Sequence, residues 1–220
     1  MNKEVQKFVV LGILFVFPVL IYLFFASGKN NFSTLPILTE RISEIDQWPT
    51  HRGDSVQLSS RITVLGFWGR DLDQKRGDAL NLNQKIYKRF YEFNDFQFVM
   101  VLANGEQEKV HQLQKELSDG VGTDLIKWNF IYGDSLQIHN LFHSLKTPFQ
   151  LNQNWSHPSV FIIDKERNLR GRDDDEDQTL LYGYNAQSVA EINNKMVDDV
   201  KVILAEYRRA LKKYNTTTTQ

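Results

Sequence analysis

Four short apolar segments, separated by helical patterns, constrain the fold of this chain most strongly. Between them, apolar residues recur at intervals of three and four, which predicts helices over about 74–92, 104–118 and 136–145. Strands that alternate with helices pair in parallel through right-handed crossovers. The sequence therefore predicts an α/β domain with a central mixed sheet flanked by helices. The predicted strands are 61–68, 96–102, 125–132 and 159–164.

Two weaker patterns extend the predicted sheet. Residues 32–39 form a candidate strand, and Pro36 predicts that this strand is irregular or lies at a sheet edge. The turn at 166–168 predicts a hairpin into 169–172, which adds an antiparallel edge.

A capping box opens the last helix. Ser188 precedes Glu191 by three residues, a spacing at which each side chain caps a backbone N–H of the other. The helix is predicted to run to about residue 214. We therefore assign the domain to residues 35–214, and we expect the polar tail 215–220 to be disordered.

An uncharged segment precedes this domain. Residues 8–26 contain no charged side chain, and at about 1.5 Å per residue this length nearly spans a bilayer core of about 30 Å. Pro18 can kink such a helix without forbidding it. The pattern predicts a transmembrane helix at 8–27 that contacts membrane lipid.

Flanking charges predict the orientation. Lys3 and Lys7 lie before the span, whereas only Lys29 follows closely. The positive-inside rule then places residues 1–7 in the cytoplasm, and the domain follows a linker at 28–34. We expect a single-pass protein of the inner (plasma) membrane with a periplasmic, extracytoplasmic domain.

A cleaved signal peptide is the alternative for this segment. The charged start fits a signal peptide, but the apolar run is longer than usual, and bulky residues at 23–25 precede the only small-residue segment, 26–28. N-terminal sequencing of the mature protein separates a retained anchor from a secreted protein.

Composition excludes several classes of function. The chain has no cysteine, which excludes disulfide exchange, thiolate nucleophiles and thiolate metal ligands. Its net charge is −1 and no segment is strongly basic, so nucleic acid is not an expected partner. Neither a catalytic triad nor a glycine-rich phosphate loop is recognisable, and we predict no cofactor and no catalytic residue.

Four motifs together resemble one superfamily. They are Val64–Trp68 before a turn, Trp128–Asp134, His157–Asp164, and Gly171 after the turn at 165–168. This pattern resembles the thioredoxin-like superfamily, in particular the membrane-anchored Sco/SenC proteins and their TlpA-like relatives. The resemblance covers about residues 32–212. On this resemblance Trp68, Lys75 and Pro158 are fold markers, and Pro158 is expected to follow a cis peptide bond next to the redox corner.

The resemblance also implies where a redox or copper site would lie. Such proteins bind copper through a cysteine pair and a distal histidine. The pair would fall at Asp71 and Lys75, or at Leu72 and Lys75, and His157 lies about one position from the histidine. Both alignments place Lys75 at the second cysteine, and an ammonium group is no ligand for Cu(I). The copper and thiol activities therefore do not carry over to this chain.

Acidic residues at the same corner allow two readings. Asp71, Asp73 and Asp78, with Arg70, form either a remodelled pocket for a hard cation or basic group, or ordinary caps of a helix N-terminus. Acids in a first turn are usually structural, because they interact favourably with the helix dipole.

Two further segments are weak site candidates. His139 and His143 share one face of a predicted helix, a spacing found in metal sites, but no third ligand is identifiable, and the pattern favours a solvated helix face over a metal pair. The acidic run 173–177 lacks the ligand spacing of a calcium loop and is predicted to be a solvated loop or a docking surface for a basic partner.

Two functional hypotheses follow. The first is a non-catalytic docking, structural or assembly module of an integral membrane complex, and the Sco resemblance implies respiratory cytochrome oxidase. The alternative is a metal carrier or enzyme with a rebuilt, cysteine-free site near Arg70, Asp71, Asp73 and His157.

Overall fold

The computed structural model describes residues 3–27, 34–122 and 124–217 and divides into two units, Met1–Ser33 and Thr34–Gln220. The first unit contains helix α1, Lys3–Ser27. Within α1, the 20 residues Val5–Phe24 have a mean hydropathy of 2.5 and form a candidate membrane span. This helix begins five residues before the predicted span at 8–27, whereas most of the predicted linker lies outside the described residues.

A mixed sheet forms the centre of the second unit. Among the described residues, its strands are β1 Ile37–Thr39, β2 Ile62–Gly69, β3 Phe96–Ala103, β4 Trp128–Gly133, β5 Ser159–Ile163, β6 Leu169–Arg170 and β9 Tyr184–Asn185. The strand order is β1-β6-β5-β2-β3-β4, and β9 pairs with β5. Strands β2, β3 and β4 are mutually parallel, while β5 is antiparallel to β2.

Helices cover both faces of the sheet, and most lie close to their predicted positions. The segment predicted at 74–92 is subdivided into a 3-10 turn, two α-helical pieces and a π-helical turn, and the last helix also contains a π-helical turn. The elements are the 3-10 turn Leu72–Lys75, α2 Arg76–Leu82, the π-turn Asn83–Tyr87, α3 Lys88–Phe90, α4 Gln107–Val121, α5 Ser135–Ser144, α6 Val189–Glu191, the π-turn Ile192–Met196 and α7 Val197–Thr217.

Two apolar layers explain why β2 is central. Every residue of β2 is buried, and alternate side chains enter opposite layers. Val64 and Trp68 join the layer that contains α2 and α7, whereas Leu65 and Phe67 join the layer that contains α5. Trp68, predicted as a fold marker, packs 6.0 Å from the Trp128 ring by centroid distance.

The outer edge of β4 is covered by residues 49–51. Thr50 forms an antiparallel bridge with Ile131, and the Tyr132 N–H donates to the Pro49 carbonyl at 2.9 Å. The His51 N–H donates to the Phe130 carbonyl at 3.0 Å. The turn-rich segment that precedes β2 therefore satisfies backbone groups that an edge strand would otherwise leave open.

Three boundaries differ from the predictions. Strand β4 begins at Trp128 instead of 125, because residues 126–127 form a turn, and the carbonyls of Leu125 and Ile126 accept from the Arg52 side chain instead of a neighbouring strand. Among the described residues of the candidate strand 32–39, strand β1 comprises Ile37–Thr39, and it is preceded by Pro36, which has no N–H to donate. The last helix extends to Thr217, past the predicted end at 214 and into the predicted disordered tail, whose final residues 218–220 lie outside the described residues.

The acidic run 173–177 is part of a two-stranded hairpin and not a loop throughout, because residues 173–175 lie in a strand and 176–177 lie in the turn that follows. Strands β7, Arg172–Asp175, and β8, Thr179–Leu181, form a hairpin. Asp175 is buried and both of its carboxylate oxygens accept from the Lys195 ammonium at 2.8 Å. This ion pair explains the difference, because one acid of the run points inward while Asp173 and Asp174 remain exposed.

Candidate functional site

Two chain segments meet at the carboxyl end of β2. Gly69 has a φ of +50°, and a Cβ atom there would lie 2.0 Å from the Asn154 carbonyl oxygen. The next residue continues the contact, since the Arg70 N–H donates to the same carbonyl at 2.9 Å. The corner after β2 therefore fits closely against the loop before β5, and only glycine is accommodated at the closest approach.

Asp71 is held by two amides of that loop. It is 6 % exposed, and its carboxylate accepts from Asn152 Nδ2 at 2.8 Å and from Asn154 Nδ2 at 2.6 Å. Its carbonyl accepts from the backbone N–H groups of Gln74 and Lys75, which begins the 3-10 turn. The carboxylate thus fastens the loop to the corner, and two of its acceptor positions are already used.

Lys75 is buried at the second position of the expected redox pair. The side chain is 6 % exposed, and its Nζ lies 3.0 Å from Asp78 Oδ2, which is equally buried. The same Nζ donates to the His157 carbonyl at 3.2 Å. Burial raises the pKa of the Asp78 carboxyl, and the neighbouring Lys75 charge opposes this rise.

His157 lies on the opposite side of the corner among aromatic rings. Its ring stacks on Phe149 with centroids 4.9 Å apart, and Phe142 lies at 5.7 Å. Nδ1 accepts from the Ser159 N–H at 3.0 Å, which leaves the proton of the neutral ring on Nε2. Burial lowers the pKa of His157, and the Lys75 charge lowers it further, so the imidazole is neutral at pH 7.

A polar cleft of about 370 Å³ opens at this corner. Its walls come from the corner, from the loop before β5 and from the turn before α6. Acid, base and amide groups face one another there, yet the acid and the base already have protein partners. The polar residues that line it include Asp71, Gln74, Lys75, Gln150, Asn152 and His157.

The four residues of the alternative site do not converge. The Arg70 guanidinium stacks on the Trp155 ring, 4.1 Å from its centroid. Asp73 faces solvent and pairs with Lys109 at 3.1 Å, and the hydrogen bond from Lys109 lowers the pKa of its carboxyl. Asp71 and His157 both line the cleft, whereas Arg70 and Asp73 are engaged outside it.

The helical histidine pair lies on α5. The rings of His139 and His143 are 6.4 Å apart by centroid, and His139 Nδ1 donates to the Ser135 carbonyl at 2.7 Å. In the part of the chain that the structure describes, no group of three or more histidine or acidic side chains is placed to hold a metal ion.

The expectation of a cis bond before Pro158 is wrong. No cis peptide bond occurs among the described residues, and His157–Pro158 is trans. The trans form is favoured intrinsically by about 0.5–1 kcal/mol, and here the His157 carbonyl accepts from the buried Lys75 ammonium. Pro158 itself is exposed at the rim of the cleft.

Sequence reasoning missed the amides and rings that complete the corner. Asn152, Asn154 and Phe149 lie about 80 residues after the corner, in a segment without periodicity. No local pattern pairs them with Asp71 or His157. Asp78 was recognised as part of the corner, but its role as the partner of Lys75 depends on the helical turn that places both inward.

Comparison with known proteins rests on structure alone. No protein-family model matches the sequence, and no curated protein matches it. A putative protein disulfide isomerase from Bacteroides thetaiotaomicron superposes with a TM-score of 0.53 at 13 % identity, covering 81 % of this chain and 98 % of that one. A SCO1/SenC family lipoprotein from Bacillus anthracis superposes with a TM-score of 0.53 at 17 % identity, covering 78 % and 99 %.

The domain has a thioredoxin-like fold. A third solved structure, of a member of the Sco family of cytochrome c oxidase assembly proteins, agrees with a TM-score of 0.50 at 12 % identity over 78 % of this chain and 98 % of that one. The thioredoxin-like fold and its candidate N-terminal span were both predicted, and the chain has no cysteine at the corner or elsewhere.

Proposed function

We propose that this protein is a membrane-anchored, non-catalytic docking or assembly module of an integral membrane complex. The observation that carries the proposal is the state of the thioredoxin-like corner. A buried Lys75 occupies the position that the resemblance gives to the second cysteine, and its ammonium is paired with Asp78. A corner arranged in this way maintains the fold but offers no thiol chemistry.

The neighbouring groups support the same proposal. Asp71 is bound by two amides, and His157 keeps its Nδ1 on a backbone N–H within an aromatic cluster. Each group that could act as acid, base or ligand at the corner thus has a protein partner. The arrangement favours a structural use of the corner over the alternative metal carrier or enzyme.

The proposed setting is the inner (plasma) membrane. The candidate span Val5–Phe24 would anchor the protein, with its N-terminus in the cytoplasm and residues 34–217 in the periplasm. Respiratory cytochrome oxidase is the complex that we propose, because one structural neighbour is described as a member of a family of cytochrome c oxidase assembly proteins.

Two assays on the full chain in mild detergent test the absence of chemistry. We expect neither reduction of insulin nor stoichiometric Cu(I) binding in competition with a chromophoric chelator. A Sco-family protein with its cysteines, treated in the same way, is the positive control. Copper held tightly at one equivalent would contradict the proposal and favour the rebuilt metal site.

The partner is tested by affinity purification from native membranes in mild detergent, followed by mass spectrometry. We expect the subunits of one integral membrane complex to co-purify in a fixed ratio. The matched control is residues 1–33 fused to an unrelated soluble domain, which retains the anchor alone. Equal recovery of the complex with this control would show that the thioredoxin-like domain is not the docking module.

A further inference from the structure

A second cleft lies at the opposite, amino-terminal end of the parallel strands. It encloses about 570 Å³, within the range of about 300–1,000 Å³ that is usual for ligand sites. Its walls come from the segment before β2 and from the starts of β3 and β4. Its charged and amide lining residues include Arg52, Asp54, Arg61, Gln97, Lys127 and Asn129.

Three cations line this cleft without a carboxylate partner. The Arg52 guanidinium donates to the carbonyls of Leu125 and Trp128 at 2.8 and 3.0 Å. Arg61 Nη1 donates to the Asn94 carbonyl at 2.8 Å. Lys127 Nζ likewise donates to backbone carbonyls, those of Tyr91 and Phe93. Within the described residues, none of the three forms an ion pair, so their formal charges are not neutralised by contact.

The lining carries an excess of positive charge. Asp54 is its one acidic residue among those described, and Oδ1 of Asp54 accepts from the Thr50 hydroxyl at 2.8 Å. Burial lowers the pKa of Lys127 and the nearby Arg61 charge lowers it further, while the charges of Asp124 and Asp95 oppose this shift. The repulsion between Arg61 and Lys127 would be relieved by an anion between them.

The floor of the cleft is polar and almost fully buried. Gln97 Nε2 donates to Thr63 Oγ1 at 2.9 Å and to the Gln57 carbonyl at 2.8 Å, while Asn129 Nδ2 donates to Gln97 Oε1 at 3.3 Å. The side chains of Thr63, Gln97 and Asn129 thus form a row of hydrogen bonds across strands β2, β3 and β4, where apolar side chains would otherwise be expected. An Asn129 amide has a second N–H, which can serve a ligand in the cleft.

We propose that this cleft binds an oxyanion of the phosphate class, presented by a free phosphate ester or by the headgroup of an anionic phospholipid. Guanidinium and ammonium groups with amide donors are the set that recognises phosphate oxygens. The volume exceeds that of inorganic phosphate, and Ile126, 65 % exposed at the lining, can contact the organic part of an ester. The site lies apart from the corner cleft and does not depend on the proposed docking role.

Arg61→Gln is the variant that tests the site. Arg61 is exposed and makes a single bond to one carbonyl, so its replacement should leave the fold intact. Arg89→Gln is the matched control, because Arg89 is an exposed arginine on α3 and does not line the cleft. Tryptophan fluorescence on urea unfolding verifies that each variant is folded.

Calorimetric titration with glycerol 3-phosphate, at constant ionic strength, tests the free ester on the full chain in neutral detergent. Hydrogen exchange at residues 124–130 tests the lipid source, in phosphatidylcholine nanodiscs with and without phosphatidylglycerol. We expect either calorimetric binding of glycerol 3-phosphate or protection from hydrogen exchange by phosphatidylglycerol. Arg61→Gln should weaken the affinity or the protection at least about tenfold, and Arg89→Gln should leave it unchanged. Binding in the first arm identifies a free ester, and protection in the second alone identifies a headgroup.

Three results would overturn the proposal. These are no response of the wild-type chain in either arm, a response that Arg61→Gln leaves unchanged, and equal weakening by Arg61→Gln and Arg89→Gln. The last result would show that the response reports overall charge and not this cleft.

Discussion

Replacing Lys75 with methionine should destabilise the thioredoxin-like domain through the carboxylate left behind. Lys75 and Asp78 are each only 6 % exposed, and Asp78 Oδ2 has the Lys75 ammonium as its close cation at 3.0 Å. Methionine retains the length and apolar stem of lysine but removes the charge. The variant therefore leaves Asp78 buried without its ion-pair partner.

The expected magnitude follows from burial. Removing one partner of a buried ion pair costs about 3–5 kcal/mol, whereas exposed pairs contribute about 0–1 kcal/mol. Lys109→Met provides the contrast, because Lys109 and Asp73 are 39 % and 57 % exposed. We expect Lys75→Met to lower the free energy of unfolding by about 3 kcal/mol at pH 7 and Lys109→Met by less than about 1 kcal/mol.

Acidification should reduce the loss in free energy of unfolding that Lys75→Met causes. Burial already raises the pKa of Asp78, and loss of the opposing Lys75 charge raises it further. A carboxyl whose pKa is higher in the folded state than in the unfolded state binds its proton preferentially in the folded state. The free energy of unfolding therefore rises as the pH falls through the folded-state pKa. The difference from wild type should therefore shrink from pH 7 toward pH 4.

Urea unfolding of the full chain in mild detergent, followed by tryptophan fluorescence, measures these differences. All four tryptophans lie between residues 48 and 155, so the signal reports the domain and not the anchor. The double variant Lys75→Met/Asp78→Leu should recover most of the loss, because an apolar pair replaces the buried charges at little cost.

Two outcomes would refute this reasoning. One is a cost for Lys75→Met no larger than that for Lys109→Met. The other is a deficit that stays constant or grows on acidification, which would mean that the unpaired Asp78 charge is not its cause.

Two other predictions concern the backbone and acid sensitivity. Gly69→Ala should lower the free energy of unfolding by about 2 kcal/mol or more, because the new Cβ atom would collide with the Asn154 carbonyl. Gly53 also has a positive φ but has open space around it, so Gly53→Ala should lower this free energy by only about 1 kcal/mol. Urea unfolding measures both values. Burial and the Arg52 charge lower the pKa of His51 to about 4. Between pH 6.5 and 4 the unfolded chain therefore binds a proton that the folded chain does not, and the free energy of unfolding should fall as the pH drops through this range. His51→Asn should reduce that fall when unfolding is measured as a function of pH. An unchanged pH profile in His51→Asn would contradict this assignment.

The apolar strands were predictable because burial on both faces leaves a strong local pattern. Each of the predicted segments 61–68, 96–102 and 159–164 lies within one or two residues of its observed strand. Strand β4 was predicted to begin too early, since Leu125 and Ile126 are apolar but lie in the connection before the strand. Residue type alone does not distinguish an apolar residue in a turn from one in a strand. Here the distinction depends on the contacts of the Arg52 side chain with the Leu125 and Ile126 carbonyls, which lie far from Arg52 in the sequence.

The corner was predictable in position but not in its contacts. The strand, the turn and Lys75 follow from adjacent residues, whereas Asn152 and Asn154 reach Asp71 across the fold. The sequence also does not predict which acidic side chains are buried. Asp173 and Asp175 are equivalent in an acidic run, yet the first is exposed and the second is buried against Lys195.

The two edges of the central sheet limit how a partner can bind the domain. Residues 49–51 occupy the outer side of β4, and β1 is a three-residue strand that follows Pro36. A short edge beside proline and an edge already covered give an incoming chain little backbone to pair with. Strand addition is therefore disfavoured at β1 and β4, which directs partner recognition toward the helical faces, the loops, the clefts and the shorter strands outside these two edges.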